Sequence, residues 1–357
     1  MGLPSLNIEF RKKAVSLISR SSRGTVVLLL KDTTKETVIN SYQSLADVTK
    51  EDWTAENYKA LSLCFLGGPN RVIAVRAVKA AEAINVEESK RLFENLEFDW
   101  FAAPQASASE AQALASFFDT EKKKKYKKGK AVFHNVAADS AAVVNFTTTN
   151  ISAIVSDAVE KVSSALYTAR IAGLLAGISL EESATYKVLP EIVDLEQSKT
   201  PDADIDAGKF IIIFDGNKFK VGRGVTSLTT VSETMPEDFK KIKVVEAADL
   251  VRNDIKTTFD DSYVGKRNNT YDNKQLFVGA VVNYLKDLED IVVDKDEGIE
   301  VALDTQKNRD YLKKNGIDTS EMSDLAINKA NTGSQLAIRA RFKFIDAMED
   351  LDMGIYL

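Results

Sequence analysis

Residues 24–30 read Gly-Thr-Val-Val-Leu-Leu-Leu, a glycine followed by an uninterrupted run of strand-forming residues. An apolar run without polar alternation is typical of a strand buried on both faces, as strands of parallel sheets are. A polar helix is predicted over Thr54–Phe65. A second strand, Arg71–Val78, is predicted after the breaker Gly67–Gly68–Pro69. The first part of the chain therefore reads as a small mixed α/β unit.

Strands and helices continue to alternate beyond Asn95, which favours a largely parallel sheet flanked by helices. A long helix is predicted over Asp157–Gly177, with Val159, Val162 and Leu166 on its buried side. The other predicted elements here are the strands Phe98–Ala103, Ala131–Asn135 and Ile151–Val155 and the helix Ser109–Thr120.

A hairpin is predicted after Gly208, because Asp215–Gly216 supplies the positive φ that tight hairpins need between Phe210–Phe214 and Phe219–Val221. Two helices follow, at about 246–260 and 273–289, and the second carries an apolar stripe at helical spacing. A loop-rich stretch is predicted from Asp294 to Asn331.

Both ends of the chain carry short alternating segments. Residues 338–344, Ile-Arg-Ala-Arg-Phe-Lys-Phe, alternate apolar and basic side chains, and a strand is predicted over Ile338–Ile345. Chain ends usually fray unless something ties them down, so apolar ends require a partner strand. The apolar positions of the ends are Leu6, Ile8 and Phe10 at the N-terminus and Met353, Ile355 and Leu357 at the C-terminus, the latter after the acidic break Glu349–Asp352.

Two interpretations of the strand at 338–345 stay open from the pattern alone. It is either an ordinary edge strand with Arg339, Arg341 and Lys343 in water, or a strand that another subunit extends by strand addition.

Composition excludes several classes of protein. The chain has 357 residues, a net charge of −6, one histidine and one cysteine. A single cysteine rules out an internal disulfide and a multi-cysteine metal site. No apolar run approaches the roughly 20 residues of a membrane span, and the N-terminus lacks the order of a signal peptide. We therefore expect synthesis in a reducing cytoplasm without a signal peptide.

One basic segment contrasts with the overall acidity of the chain. Residues 121–130 carry seven lysines and one glutamate. Three interpretations remain: a solvated loop, a contact with an acidic surface of a neighbouring subunit, or a nucleic-acid contact, which the acidity of the rest of the chain disfavours. The candidate lysines are Lys122, Lys123, Lys124, Lys125, Lys127 and Lys128.

Catalytic motifs are missing from the sequence. His134 would have to serve any Ser-His-Asp triad, but no Gly-x-Ser-x-Gly elbow accompanies it, so a structural histidine is the better interpretation. Cys64 lies in an apolar stretch and reads as a buried small hydrophobe. No phosphate-binding loop occurs, and the acidic turn Asp202–Asp206 has Ile213 where a calcium loop needs glutamate. We expect no enzymatic activity, cofactor or metal.

Several segments, in their order and spacing, resemble the contractile tail sheath proteins of bacteriophages and related injection machines. The short length resembles sheaths of simple phage tails and of R-type bacteriocins (tailocins), diffocin-like particles included. The segments are Tyr167–Gly177, Ser183–Lys187, Gly208–Gly216, Arg223–Thr230, Phe239–Val244, Tyr263–Lys266 and Asn331–Ser334.

The resemblance implies a fold of mixed α/β and α+β class, with an α/β domain of subtilisin-like topology, a C-terminal α+β domain and extended strand arms. The implied division is a linking arm at 1–22, a small α/β N-terminal domain at 23–94, a non-catalytic subtilisin-like sheath domain at 95–232, a C-terminal sheath domain at 233–345 and a linking arm at 346–357.

The resemblance also implies a function. The arms, with Leu6, Ile8 and Phe10 or Met353, Ile355 and Leu357, would add strands to neighbouring subunits. The receiving strand would present Ile338, Ala340, Phe342 and Phe344. The partners would be further copies in a helical sheath, a tail tube protein, and baseplate and tail terminator proteins, without direct nucleic-acid contact or membrane insertion. The location would be a virion or phage-tail-like particle released by lysis.

Contraction would proceed from a metastable extended lattice, because no nucleotide motif is present to drive it. The helix at 273–289 would either contact the tube or, as its stripe favours, pack into the core. Two other functions remain as alternatives: a hydrolase on a subtilisin-like α/β scaffold, and a static filament or shell protein.

Overall fold

The computed structural model describes residues 23–355, apart from residues 37, 78–83, 126–127, 156–157 and 234 and the side chains of residues 122–125. The chain divides into two compact units. The first, here called the α/β unit, contains the described residues up to Leu250 and the segment from Asp346 onward. The second, the C-terminal unit, contains Val251–Ile345. The predicted N-terminal arm and Leu357 lie outside the described residues.

Strands and helices alternate in the α/β unit as predicted. Its strands are β1 (Thr25–Lys31), β2 (Ile39–Tyr42), β3 (Arg71–Ala77), β4 (Trp100–Ala102), β5 (Lys130–His134), β6 (Val143–Phe146), β7 (Thr149–Val155), β8 (Ala158–Val162), β9 (Ile192–Glu196), β10 (Lys209–Phe210), β11 (Ile212–Phe214) and β12 (Phe219–Val221). Its helices are α1 (Ala55–Phe65), α2 (Val86–Glu94), α3 (Ala108–Lys125), α4 (Ser164–Gly177), α5 (Pro201–Asp206) and the start of α6 (Ile242–Ser262).

A seven-stranded sheet forms the centre of this unit, in the order β10-β6-β5-β4-β1-β3-β2. Every neighbouring pair is parallel except β2 with β3. The run at 25–30 is β1, which lies between β3 and β4, and Val26–Leu30 is buried on both faces. These pairings confirm the predicted parallel sheet. They also explain the sequence of β1, since a strand inside such a sheet must be apolar on both sides.

Alternate residues of β1 enter two separate cores. Leu28 packs on one face of the sheet with Leu61 of α1 and Tyr167 of α4. Leu29 packs on the other face in an aromatic cluster with Phe93 of α2 and Phe118 of α3. Helices thus cover both faces of the sheet, which is the arrangement that parallel strands require.

Helices α1 and α4 approach each other through glycine. A β-carbon built on Gly173 of α4 would lie 2.0 Å from the carbonyl oxygen of Cys64 in α1. A β-carbon on Gly67, just after α1, would lie 2.1 Å from the carbonyl carbon of Gly173. Any side chain at these positions would force the two backbones apart.

The long helix predicted over 157–177 is wrong in its first part. Ala158–Val162 is the strand β8, which pairs antiparallel with β7, so Val159 is exposed rather than packed in a helix. The helix begins only at Ser164, where the Ser163 side chain caps it by accepting from the Leu166 N–H. Pairing with β7 overrides the helical spacing of Val159, Val162 and Leu166. Strands β8, β7 and β9 form a separate antiparallel sheet.

The predicted Asp-Gly hairpin is confirmed as β11 and β12. Ile212–Phe214 pairs with Phe219–Val221, and Gly216 has a φ of +93° in the turn. Phe210 belongs instead to β10, which joins the parallel sheet beside β6.

The C-terminal unit contains the rest of α6, α7 (Tyr271–Lys286), β13 (Glu300–Leu303), α8 (Thr305–Lys314), α9 (Asp324–Lys329) and β14 (Ile338–Arg341). The stretch from Asp294 to Asn331, predicted as loop-rich, therefore holds a strand and two helices. The stripe of α7 lies in the core, which confirms the favoured interpretation. The buried stripe residues are Phe277, Ala280, Val281, Tyr284, Leu285 and Leu288.

The predicted class, mixed α/β and α+β, is confirmed, while the subtilisin-like topology stays a prediction. The predicted domain edges differ from the observed units. The expected boundary after residue 94 falls inside the seven-stranded sheet, which joins β1–β3 to β4–β6. The expected boundary after residue 232 precedes the observed division at Leu250, and the segment from Asp346 returns to the α/β unit. Among the described residues, no helix combines the length and apolarity of a membrane span.

Candidate functional site

The predicted receiving strand lies in a two-stranded sheet of the C-terminal unit. β14 pairs antiparallel with β13, with Ala340 opposite Val301. The N–H of Asp304 donates to the carbonyl of Ala337 at 2.9 Å. Because bonded and non-bonded positions alternate in an antiparallel ladder, Arg339 and Arg341 direct their backbone groups toward β13, and Ile338 and Ala340 direct theirs away.

The same alternation continues beyond the regular strand. The predicted strand over 338–345 is shorter than expected, ending at Arg341, because the chain then changes its ladder partner from β13 to residues 292–294. Asp294 N–H donates to Lys343 C=O, and Ile345 N–H donates to Val292 C=O, both at 2.9 Å. Phe344 therefore also turns its backbone groups away from the sheet.

Among the described residues, one edge of this strand is therefore open. In the part of the chain that the structure describes, β13 is the only strand paired with β14, and no hydrogen bond reaches the outward backbone groups. An unpaired row of N–H and C=O groups is a template for a further strand. The residues that present it are the four predicted receivers, Ile338, Ala340, Phe342 and Phe344.

The two faces of the strand differ as the alternation predicts. Arg339 and Arg341 are exposed, and Lys343 is exposed with Glu297 3.6 Å away. On the opposite face Phe342 and Phe344 are half-buried, with ring centroids 5.1 Å apart in an edge-to-face arrangement. The open edge thus has an apolar side and a basic side.

Two residues that the sequence interpretation missed hold the turn before β14. Asn269 donates its side-chain amide to the carbonyls of Gly333 (2.8 Å) and Gln335 (2.9 Å). The buried ammonium of Lys274 donates to the Thr332 hydroxyl at 2.9 Å, and burial lowers the pKa of Lys274. The only sequence signal for this site was the turn Asn331–Ser334. This turn contains hydrogen-bond acceptors of the site but not the donors.

The apolar positions of the predicted C-terminal arm are exposed where they are described. Met353 is 66% exposed and Ile355 is 71% exposed. No strand is assigned among the described residues from Asp346 to Ile355. An apolar segment in water without strand partners is what a donated strand requires, while Leu357 lies outside the described residues.

The root of the N-terminal arm is fixed in the α/β unit, although the arm itself lies outside the described residues. The Arg23 guanidinium forms an ion pair with Glu246 of α6. The buried ammonium of Lys130 lies 3.0 Å from Glu246 and 3.0 Å from Asp249. Burial alone would raise the pKa of Glu246, but Lys130 and Arg23 lower it to about 2. Glu246, Asp249 and Asp99 raise the pKa of Lys130 against the effect of burial.

The lysine run is only partly described. The backbone of α3 continues to Lys125, but the side chains of residues 122–127 lie outside the described part. Lys128 Nζ lies 3.3 Å from the Asp99 carboxylate, and Asp99 also accepts the N–H groups of Gly24 and Thr25. Lys128 therefore serves the fold of its own unit, and the inter-subunit hypothesis now rests on the other lysines.

The weak catalytic candidates have structural surroundings. His134 ends β5, with Nδ1 3.1 Å from the Phe146 carbonyl. Cys64 is fully buried, and burial raises the pKa of its thiol. Asp204 pairs with Lys209 at 2.7 Å. Among the described residues, no group of three or more histidine, cysteine or acidic side chains is placed to hold a metal.

The sequence is similar to known tail sheath proteins. A family model described as the phage tail sheath C-terminal domain matches residues 234–357. The tail sheath protein of Clostridium phage phiCD119 is 33% identical over 370 residues, which cover 100% of this chain and 99% of that protein.

Solved structures share the fold. A cryo-EM structure of the anti-feeding prophage helical sheath in its contracted state matches with a TM-score of 0.72 and 16% identity, covering 100% of this chain and 99% of the other. The sheath tail protein of Desulfitobacterium hafniense matches with a TM-score of 0.69 and 16% identity, covering 84% and 94%.

Proposed function

The chain belongs to the phage tail sheath protein family, and from this premise we propose that it is the repeating subunit of a contractile sheath whose copies are linked by strand exchange. As a tail sheath protein it is a structural component. The finer proposal is that the C-terminal arm of one copy pairs with the open edge of β14 in a neighbour, and that the N-terminal arm makes a corresponding link.

The open edge of β14 is the observation that carries this proposal. Four successive outward positions, from Ile338 to Phe344, present unbonded backbone groups within the described residues. The chain also carries an exposed apolar segment, with Met353 and Ile355, of the alternating kind that such an edge accepts. An edge and a matching segment on one chain favour a head-to-tail contact, and such contacts generate helices when their rotation does not close.

In this proposal, contraction needs no fuel molecule. Strand exchange would keep the subunits linked while their bodies change packing between an extended and a contracted lattice. The free energy would be stored at assembly, as a difference between two lattice states. The partners in this proposal are an inner tail tube, a baseplate and a terminator, and the particle is a phage tail or a headless tailocin.

Blocking the edge without disturbing the sheet is the sharpest test. Ala340→Pro removes the outward N–H of β14 and leaves the bonds to β13, because proline fits an edge strand where the N–H faces away from the ladder. Ala340→Val keeps that N–H and is the matched control. We expect Ala340→Pro subunits to fold and to form no rods by negative-stain electron microscopy, while Ala340→Val subunits form them. Normal rods from Ala340→Pro would contradict the strand-exchange model.

Removal of the arms tests the donor side. Deletion of residues 353–357, or of residues 1–15, should leave folded subunits that do not assemble. Micrographs of assembled particles before and after a chemical trigger separate a contractile sheath from a static filament, because only the former becomes shorter and wider. Rods from either truncated protein would contradict the role of that arm.

A further inference from the structure

Glu349 has an unusual environment for a residue near a chain end. Its neighbours Met348 and Leu351 are 104% and 88% exposed, but the Glu349 side chain is only 5% exposed. Charged side chains are seldom buried unless they are paired and hydrogen-bonded. A buried carboxylate between two exposed apolar residues indicates a specific attachment rather than general collapse.

The partners of Glu349 come from a distant part of the same α/β unit. Ser183 Oγ donates to Oε1 at 2.8 Å, and Thr185 Oγ1 donates to the same oxygen at 2.6 Å. The other oxygen, Oε2, lies 3.7 Å from Arg223 Nε and 3.6 Å from Lys241 Nζ. Two hydroxyl donors and two cations therefore surround one carboxylate.

Both hydroxyl groups also accept a backbone N–H group. Ser183 Oγ accepts the N–H of Thr185 at 3.1 Å, and Thr185 Oγ1 accepts the N–H of Gly224 at 3.0 Å. Ser183 Oγ also lies 3.1 Å from Thr185 Oγ1, so the two hydroxyls and the carboxylate form one hydrogen-bonded cluster. The site is thus organised by residues that lie far from Glu349 in sequence.

Ion pairs on both sides of Glu349 extend the attachment. The Asp346 carboxylate pairs with Lys241, and the Asp350 carboxylate lies 2.5 Å from Arg223 Nη2. Asp346 and Asp350 are themselves exposed, so their pairs align the segment rather than bury it. Of the three acids, Glu349 and Asp350 belong to the predicted acidic break Glu349–Asp352, and Asp346 lies three residues before it.

We propose that residues 346–350, here called the acidic clamp, bind a carboxylate site made by Ser183, Thr185, Arg223 and Lys241 and so fix the root of the C-terminal arm to its own subunit. The effect of the clamp on assembly rests on the proposed function, but the clamp itself is a set of contacts within a single chain. The donated strand then begins after Asp350.

The clamp limits the reach of the arm. Holding residues 346–350 takes five residues out of the free arm, and five extended residues span about 17 Å. A shorter tether raises the effective concentration of the strand at a near neighbour and excludes distant ones. Tension on the arm also passes into the α/β unit rather than into β14.

A spin label tests the clamp in unassembled subunits. Met348→Cys places the label at a fully exposed position, and the buried Cys64 does not compete for it. When Glu349→Gln is added to the labelled protein, label mobility should increase several-fold, because the neutral amide no longer attracts the two cations of the site. Asp352→Asn removes an exposed acid that forms no ion pair with any residue the structure describes, and it should leave mobility unchanged. Equal mobility in all three proteins would overturn the clamp.

A second set of variants separates clamp loss from misfolding. Asp350→Asn should raise mobility, because the ion pair with Arg223 is lost, whereas Asp350→Glu keeps the charge and should leave mobility low. The Asp350 side chain is 78% exposed, so neither change should unfold the subunit. Equal mobility in these two variants would count against the assigned contacts.

Electron microscopy then tests the consequence for assembly. Labelled or unlabelled Glu349→Gln subunits should form fewer or irregular rods, while Asp352→Asn rods stay normal. Increased mobility with normal rods would refute the role of the clamp in assembly and leave strand exchange intact. If the wild-type chain forms no rods, the proposed function fails, whereas the mobility result still decides the clamp.

Discussion

Gly173→Ala should destabilise the α/β unit, although alanine is the better helix former. Gly173 lies inside α4, where alanine is favoured over glycine by about 1 kcal/mol in the absence of other contacts. The added β-carbon, however, would lie 2.0 Å from the Cys64 carbonyl oxygen and 2.8 Å from its carbon. Both are backbone atoms of α1, so no side-chain rotation relieves the clash.

The size of the effect follows from this distance. An ordinary van der Waals contact begins near 3.4 Å, so α1 and α4 would have to separate by about 1.4 Å. Overpacking of a close-packed interior costs about 1–3 kcal/mol, and the upper end applies where backbone faces backbone. After the helix-propensity gain of about 1 kcal/mol, a net loss of about 2 kcal/mol remains.

Gly279→Ala is the matched control. Gly279 lies inside α7, and a β-carbon there would meet nothing within 4 Å. Only the helix-propensity term applies, so this variant should be stabilised by about 1 kcal/mol. The same substitution therefore has opposite signs at the two sites.

Tryptophan fluorescence makes the measurement specific. Both tryptophans, Trp53 and Trp100, belong to the α/β unit, so denaturant titrations followed by their emission report on that unit. Gly173→Ala should lower the fluorescence-detected midpoint, and Gly279→Ala should act on the transition of the C-terminal unit followed by circular dichroism. A fluorescence-detected stability equal to that of the wild type would refute the close contact of α1 with α4.

Two further predictions concern charge. The pKa of Glu246 is lowered from 4.5 to about 2, so its charge stabilises the fold above pH 4.5, and this contribution disappears as the pH falls toward 2. The stability difference between wild type and Glu246→Gln should therefore shrink by on the order of 3 kcal/mol between pH 7 and pH 2, and a pH-independent difference would contradict the buried pairs with Lys130 and Arg23. Changing the lysines at 122–125 to glutamate while keeping Lys128 should impair assembly or alter its salt dependence; unchanged assembly at every salt concentration would favour a solvated run.

Local patterns predicted the core strands because a run of consecutive apolar residues indicates a buried strand. The run at 25–30 had to be buried on both faces, and the Asp215–Gly216 turn had to close a hairpin. The predicted helix over 157–177 was wrong in its first part for a different reason. Val159 and Val162 fit helical spacing, but antiparallel pairing with the preceding strand β7 decided their conformation. The Ser163 cap was a sequence signal for the true start of the helix.

The helices α8 and α9 were missed because little of either is apolar and buried. Leu312 is the buried apolar residue of α8, and Ile327 is that of α9. Capping residues marked both starts, since Asp304 and Ser323 each accept a backbone N–H of the first turn. Short polar helices at a surface are better indicated by their caps than by periodicity.

The candidate site was also predictable only in part. Alternation at 338–344 predicted a strand with an apolar and a basic face, and the structure confirms both. Which backbone groups face outward depends on the register with β13, and no local pattern contains that information. The clamp was also out of reach, because Ser183 and Glu349 are 166 positions apart. The sequence marked the acidic stretch as a boundary, and only tertiary contacts assign it a partner.

The roots of both arms converge on one short part of the α/β unit. Lys241, just before α6, pairs with Asp346 at the start of the C-terminal arm. Glu246, in the second turn of α6, pairs with Arg23 at the end of the N-terminal arm. On the proposed function, a pull on either arm therefore enters the protein through residues 241–246. Lys130, at the start of β5, pairs with both Glu246 and Asp249, so on the proposed function the load passes from α6 into the central seven-stranded sheet.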